Sequence, residues 1–177
     1  HLSIRRQRQM CIRDRLLADL LEVPARYEAA AEAVLGERLQ ALPASAGDAL
    51  AALAFLREKE GRCTFLLPGF ARATSPAVAV GVPLLDMVQP RPGGEELVAA
   101  LLSGVSVVES IEPFLSTPLP IGVTLVSEAG EVLTARGELT GGGRRTLDHG
   151  LLHKRREMKE LSGAVERLSA EVEALQQ

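Results

Sequence analysis

Nine positions between Leu147 and Leu175 recur at alternating spacings of four and three: Leu147, Leu151, Lys154, Met158, Leu161, Val165, Leu168, Val172 and Leu175. Eight of the nine are apolar. Such a stripe is a coiled-coil seam, narrower than the face a helix turns toward a globular core, and it requires a facing helix. Just upstream, a strand is expected to begin at Thr134. It runs into Gly137-Glu138-Leu139-Thr140-Gly141-Gly142-Gly143 before the heptads begin. The chain is therefore organised as a compact domain that feeds through a glycine-rich corner into a coil.

The remaining residues must supply that domain. With 46% hydrophobic and 24% charged residues in 177, there is enough apolar matter for one domain or two small lobes. Aromatics make up 3% and Trp is absent, so the core is expected to be Leu, Val and Ala. A net charge of -3 argues against a chain that binds nucleic acid over its whole surface, leaving only local patches. Lys59, Lys154 and Lys159 are the only lysines; the Arg bias fits a GC-rich coding sequence as well as it fits function. Cys11 and Cys63 lie far apart and outside any CxxC pair, which disfavours a disulfide framework or a zinc knuckle. No apolar run reaches the ~18 residues of a membrane span, and the basic start lacks the apolar core of a secretory signal. A cytoplasmic, reducing setting is expected.

The chain reads as a fragment, starting at His1 and stopping at Gln177 in mid-heptad. Residues 1–15 carry neither heptads nor strand alternation and are set outside the fold, as a scar or a disordered basic arm. Leu16 to Val23 is a strand or the end of a short helix before Pro24. Ala25 to Leu35 is a helix with Tyr27, Ala30, Ala31, Val34 and Leu35 on one face and Gly36 as its stop. Arg38 to Leu42 is expected to be a strand. Ser45 to Glu60 is a helix capped by Ser45 or Asp48, with Leu50, Leu53, Ala54, Phe55 and Leu56 as its buried stripe and Gly61 at its end. Cys63 to Leu67 reads as a buried strand, with Cys63 a core thiol.

After a loop at 68–76, Val78 to Val88 is apolar and broken at Pro83, and 90–94 is a turn. Glu95 to Leu102 is a helix, Val105 to Val108 a strand, and Ile111 to Leu115 a helical turn. Ile121 to Val126 and Glu131 to Ala135 form a hairpin around Glu128-Ala129-Gly130. Alternating strands and helices imply an α+β, mixed α/β fold. A faint echo relates Asp19-Leu20-Leu21 to Asp86-Met87-Val88, and the helix ending at Gly36 to the one ending at Gly104. Either it marks two similar lobes, about 16–72 and 78–143, or two short α/β units simply look alike.

The strings LLADLLEVPARYEAAAEAVLGERLQAL, GRCTFLLP, GEVLTARGELTGGG and LLHKRREMKEL, in that order, resemble the hinge domain of bacterial structural maintenance of chromosomes (SMC) proteins. The likeness covers about residues 16 to 177, with the coil in the place the family has it. It departs from the family pattern twice. The glycine-containing strand and incoming coil arm expected before the LLADLLEV run are replaced by residues 1–15, and Pro43 shortens the strand expected after LGERLQ. The resemblance implies two pseudo-symmetric lobes, spanning 16–143, followed by a coil start at 144–177. It implies a homodimer held by sheet extension at two interfaces, and an antiparallel coil arm of the same chain as the partner of the seam. For the whole protein it implies a chromosome-organising ATPase. No G-x-x-x-x-G-K-[ST] string occurs here, so this portion is not expected to bind nucleotide or to be an enzyme.

Gly141, Gly142 and Gly143 have two readings. They form a flexible linker, or they allow a second backbone to approach at a dimer interface. The resemblance favours the second for Gly137, Gly141 and Gly142. Arg144, Arg145, Lys154, Arg155, Arg156 and Lys159 form a basic neck, which is either a solvated coil face or a phosphate contact for DNA. Without interleaved aromatics, base stacking is not expected. Lys154, on the seam, snorkels near the start of the coil or sets its register. His149 and His153 have the i, i+4 spacing of a metal pair but no third ligand, and read as exposed polar residues. Ser103, Ser106 and Cys63 lack the surroundings of a nucleophile, and Glu95-Glu96 suit a helix N-terminus. No catalytic constellation, metal site or cofactor site emerges. The competing reading is a small-molecule-binding or enzymatic α/β domain with an oligomerising coil.

Overall fold

The computed structural model of the chain describes residues 15–70, 80–142 and 150–175. Residues Leu17–Asp19 form a 3-10 turn leading into strand β1 (Leu21–Glu22). A second such turn at Ala25–Tyr27 opens helix α1 (Glu28–Leu35), whose Ala30, Ala31 and Leu35 are buried as the periodicity requires. Helix α1 ends at Gly36, but the chain does not extend there. It tightens into a five-residue 3-10 helix, Gly36–Gln40, and only then forms the two-residue strand β2 (Leu42–Pro43). The strand expected over 38–42 is thus mostly helical. Leu39 reaches the core from a helical turn, and Pro43 has no N–H with which to lengthen a ladder.

Helix α2 (Ala46–Glu58) starts where Ser45 predicts. The Ser45 hydroxyl accepts the Asp48 N–H at 3.1 Å and donates to the Asp48 carboxylate at 2.8 Å. Its stripe is not the expected one. Leu50 and Phe55 are 68% and 59% exposed and Ala54 is exposed, while Ala49 is buried and Ala52, Leu53 and Leu56 are half-buried. The inward line is 49-52-53-56, one residue round the helix. At its end, Glu60 rather than Gly61 takes the left-handed conformation (φ 54°), and the Gly61 N–H closes back on the Leu56 carbonyl at 2.9 Å. Strand β3 (Phe65–Leu66) is shorter than expected and half-buried. Cys63 lies before it, half-exposed, so it is not a core thiol.

Strand β4 (Val82–Pro83) runs straight into the single-turn helix α3 (Leu84–Met87), so Pro83 lies in an edge strand instead of breaking one. Strand β5 (Gln89–Pro90) pairs antiparallel with β1, and β2 pairs parallel with β3. Helix α4 (Glu95–Leu102) and strand β6 (Val105–Val108) have the limits expected of them. A 3-10 turn at Glu112–Phe114 precedes the hairpin of β7 (Thr124–Ser127) and β8 (Val132–Thr134), turned at Gly130. Strand β9 (Leu139–Thr140) completes a five-stranded sheet of order β4-β6-β7-β8-β9, with β6–β7 its one parallel pair. All four residues of β6 are buried, as a central strand covered on both faces demands.

Helix α5 (Leu151–Leu175) follows. The fold is mixed α/β with a C-terminal helix. The principal core takes Leu17, Ala30, Ala31 and Leu35 from the first part of the chain and Leu84, Val98, Leu102 and Val126 from the second, so 16–72 and 80–142 share one apolar interior. A smaller cluster around Val123, Leu125 and Leu133 fills the other end of the sheet. Among the described residues, no helix is long and apolar enough to cross a membrane.

Candidate interface edge and helix seat

The sheet ends at two unlike edges. At β4 the edge carries Pro83, which offers no N–H. At β9 the edge carries no proline, and Leu139 stands 56% exposed. The β8–β9 corner is built by Gly137 at φ 81°, whose N–H donates to the Thr134 carbonyl at 2.9 Å; Thr134 N–H donates to the Glu138 carbonyl at 3.0 Å. A side chain at Gly137 would find open space but a strained backbone. Gly141 faces the Glu131 side chain of its own chain, with room for a Cβ only 3.2 Å from Cγ, and Gly142 adopts φ 127° with nothing near it. The corner that sequence assigns to an interface is therefore ordered backbone leaving, among the described residues, an open strand. In the smaller sheet β3 is likewise the edge without proline, since Pro43 lies in β2. Gly143, Arg144, Arg145, Leu147 and His149 lie outside the described residues, as does Cys11.

The second feature is the seat of α5. Leu152 is buried and Leu151 half-buried against the main core. Around them, four carboxylates from the start of the domain meet the first three turns of the helix. Asp19 pairs with Arg155. Glu28 takes Arg156 through Nε at 2.6 Å and Nη2 at 3.3 Å, with His153 Nδ1 at 3.7 Å. Glu22 takes Lys159 at 2.8 Å and Arg91 at 3.2 Å. Glu32 accepts the backbone N–H of Leu152 at 2.6 Å. An open groove of about 410 Å³ runs between α5 and β1, lined by Asp19, Glu22, Arg91, Arg155 and Lys159 among others.

Electrostatics follow the contacts. Lys159, and then Arg91, hold the Glu22 carboxyl below its ordinary range. Burial pushes Glu32 up, outweighing the Leu152 and His153 N–H groups that favour its charge. Glu28 raises Arg156 further, and burial lowers Arg155, whose Nε finds no partner among the described residues. Arginine stays charged throughout. Three members of the basic neck, Arg155, Arg156 and Lys159, are thus brought together as a clamp on the domain's own acids. Lys154 points away, exposed and without an ion pair among the described residues. His153 belongs to this clamp rather than standing as a solvated residue; among the described residues no group of three His, Cys, Asp or Glu side chains is placed to hold a metal ion.

Sequence reading missed the acidic half of the seat. Its only local signal was Glu28 and Glu32 one turn apart on α1, matching the basic row that includes Arg156. Beyond the seat, the seam behaves as an uncovered stripe: Met158, Leu161, Val165, Leu168 and Val172 are 52–66% exposed.

Comparison with known proteins places these features. The family described as "SMC proteins Flexible Hinge Domain" matches residues 14–113. The Chromosome partition protein Smc of Mycobacterium leprae (strain TN) is 34% identical over 134 residues, covering 72% of this chain; the chain spans only 11% of that relative's length. Among solved structures, an asymmetric dimer of the Geobacillus stearothermophilus SMC hinge domain superposes with a TM-score of 0.71 at 26% identity, covering 91% of this chain and 70% of that one. The Pyrococcus furiosus Smc hinge domain with an extended coiled coil superposes with a TM-score of 0.65 at 27% identity, covering 91% of this chain and 63% of that one.

Proposed function

The chain belongs to the SMC flexible hinge domain family, and from that premise we propose that it is a dimerisation hinge that joins two long coiled-coil arms. The observation that carries this reading is the open strand β9, proline-free and with Leu139 exposed beside Gly137, Gly141 and Gly142. In this reading β9 of one copy extends the β3 edge of the other, and twofold symmetry repeats the junction, closing a ring. The hinge spans 16–143, with lobes about 16–72 and 78–143, and the coil begins within 144–177. The test is sedimentation equilibrium on Leu139→Asp. Leu139 is exposed, so the fold should persist by circular dichroism while the dimer dissociates; a dimer of unchanged affinity sinks the reading. Bulky residues at Gly141 and Gly142 should act in the same direction, with added strain against Glu131 and at φ 127°.

The seam of α5 takes as its partner an antiparallel helix of the same polypeptide, because its exposed apolar residues need a cover that the described residues of the hinge do not supply. By likeness to the Mycobacterium leprae relative, the whole protein acts in chromosome partition and associates with the nucleoid, with any nucleotide chemistry carried outside these residues. The expected phosphate contact at the hinge–coil junction then falls first to Lys154, together with Arg144 and Arg145. Arg155, Arg156 and Lys159 are already engaged with Asp19, Glu28 and Glu22. Charge reversal at Lys154 should weaken binding to duplex DNA without sequence preference and reduce its salt slope by about one. Unchanged affinity and slope would remove DNA from the proposal and leave the dimer reading intact.

A further inference from the structure

A helix leaves its first N–H groups without partners, and the residue before it normally supplies a side-chain oxygen to the N–H of the second or third residue. Helix α5 begins at Leu151, so that capping position is Gly150, which has no side chain. Its carbonyl accepts the Lys154 N–H at 3.1 Å, as a capping residue's should. The missing oxygen comes from a residue 120 positions away: Glu32 Oε1 accepts the Leu152 N–H at 2.6 Å. A Cβ on Gly150 would run into the Glu32 carboxyl group. Glycine at 150 is thus the condition that lets an outside carboxylate serve as the cap.

Glu32 sits on α1 one turn beyond Glu28, which holds Arg156 two turns into α5. Elsewhere α1 packs against β7 and β8. The turn between those strands abuts it so closely that a Cβ on Gly130 would lie 3.2 Å from the Ala29 carbonyl oxygen. One short helix therefore touches both the hairpin next to the open strand β9 and the first turn of the coil. Among the described residues, Glu28 on α1 itself and His153 across the junction are the titratable groups that act on Glu32.

We propose that α1 is the rigid coupler between the sheet edge and the exit helix, with Glu32 as an N-cap supplied from outside α5. The first turn of the coil is satisfied only while it is seated on α1, and a shift of the β7–β8 hairpin carries the coil's origin with it. This goes beyond dimerisation, because the seat lies within one chain and its disruption should leave dimer mass unchanged.

Hydrogen exchange on the full 177-residue chain tests the cap, comparing E32A, E32Q, G150A and the E32A/G150A double variant with the wild type. E32A should speed exchange in the first turn of α5 about tenfold, the scale of a lost N-cap, while β6 and β7 keep their protection. E32Q, which retains one carbonyl acceptor and the side-chain volume, should fall between. G150A should also loosen the first turn, and the double variant should be no worse than E32A alone because the clash is gone. Spin labels at Glu58→Cys and Glu166→Cys, with Cys11 and Cys63 replaced by Ser, should give a distance distribution that broadens in E32A. The proposal is overturned by any of four results: wild-type exchange in E32A, equal loss of protection in β6 and β7, additive E32A and G150A effects, or an unbroadened distance distribution.

Discussion

Replacing Arg156 by Met should loosen the seat of the coil far more than replacing Lys159 by Met, although each removes one cation from α5. The Glu28 residue is only 8% exposed, and Arg156 reaches it with one short contact at 2.6 Å and a second at 3.3 Å, the latter at the edge of useful geometry. A charge-assisted hydrogen bond contributes roughly 1.5–3 kcal/mol, and loss of the arginine also leaves a desolvated carboxylate behind. Arg156 itself is 36% exposed on its side chain, which places the cost at about 2 kcal/mol rather than at the value for a fully buried pair. Lys159 and Glu22 are 62% and 48% exposed on their side chains, so that pair should contribute roughly 0–1 kcal/mol. The assay is hydrogen exchange across 151–159, which reads local opening, beside urea unfolding, which reads the whole domain. A cycle with Glu28→Gln should return a coupling energy of about 1 kcal/mol or more. Equal effects of R156M and K159M, or a coupling near zero, would refute the assignment of Glu28–Arg156 as the main ionic anchor.

Two further outcomes follow from the same geometry. Glu60→Gly should stabilise the domain by about 0.5–1 kcal/mol in thermal unfolding, since Glu60 holds φ 54° at the end of α2 and glycine relieves that conformation; an unchanged or lower melting temperature would contradict it. The pH dependence should have two limbs of opposite sign. Glu22 is held low by Lys159 and Arg91, so its contribution is present above the ordinary value of 4.5 and is lost as pH falls below it. Glu32 is raised by burial, so its ionised form opposes folding at neutral pH and that opposition is relieved as pH falls toward 4.5. Glu22→Gln should flatten the acid limb and Glu32→Gln the upper one; the reverse pattern in pH-resolved unfolding would overturn the assignment.

Elements with strong local signals were legible in the sequence. Helix α4 follows a turn, opens on Glu95-Glu96 and stops before Gly104, while β6 is a four-residue run dominated by Val; neither depends on distant partners for its limits. The hairpin around Gly130 and the Ser45 cap were equally local. What escaped was set by distance. Helix α2 turns Ala49, Ala52, Leu53 and Leu56 inward, while its own apolar residues point equally well to the face holding Leu50 and Phe55. The short strands β1 and β5 exist only because each finds the other. The basic residues of α5 look like a solvated face or a DNA contact in sequence because their acids lie more than a hundred positions earlier in the chain. Gly150 carried no signal at all, since a glycine that admits a foreign carboxylate looks like any other glycine before a helix.

The pairing of β1 with β5 has a consequence for how the domain is made. Leu21 and Glu22 find their ladder partners only at Pro90 and Gln89, and Ala30 and Ala31 share an interior with Val98 and Val126. During synthesis residues 17–43 therefore leave the ribosome before much of the surface that they cover in the fold. The parallel joint between β6 and β7 adds a second wait, because its crossover must be complete before either strand is held. Folding is thus deferred until nearly the whole sheet is available. The interval between synthesis of β1 and synthesis of β7 is the one in which this hinge is most open to chaperones and to mispairing with a neighbouring chain.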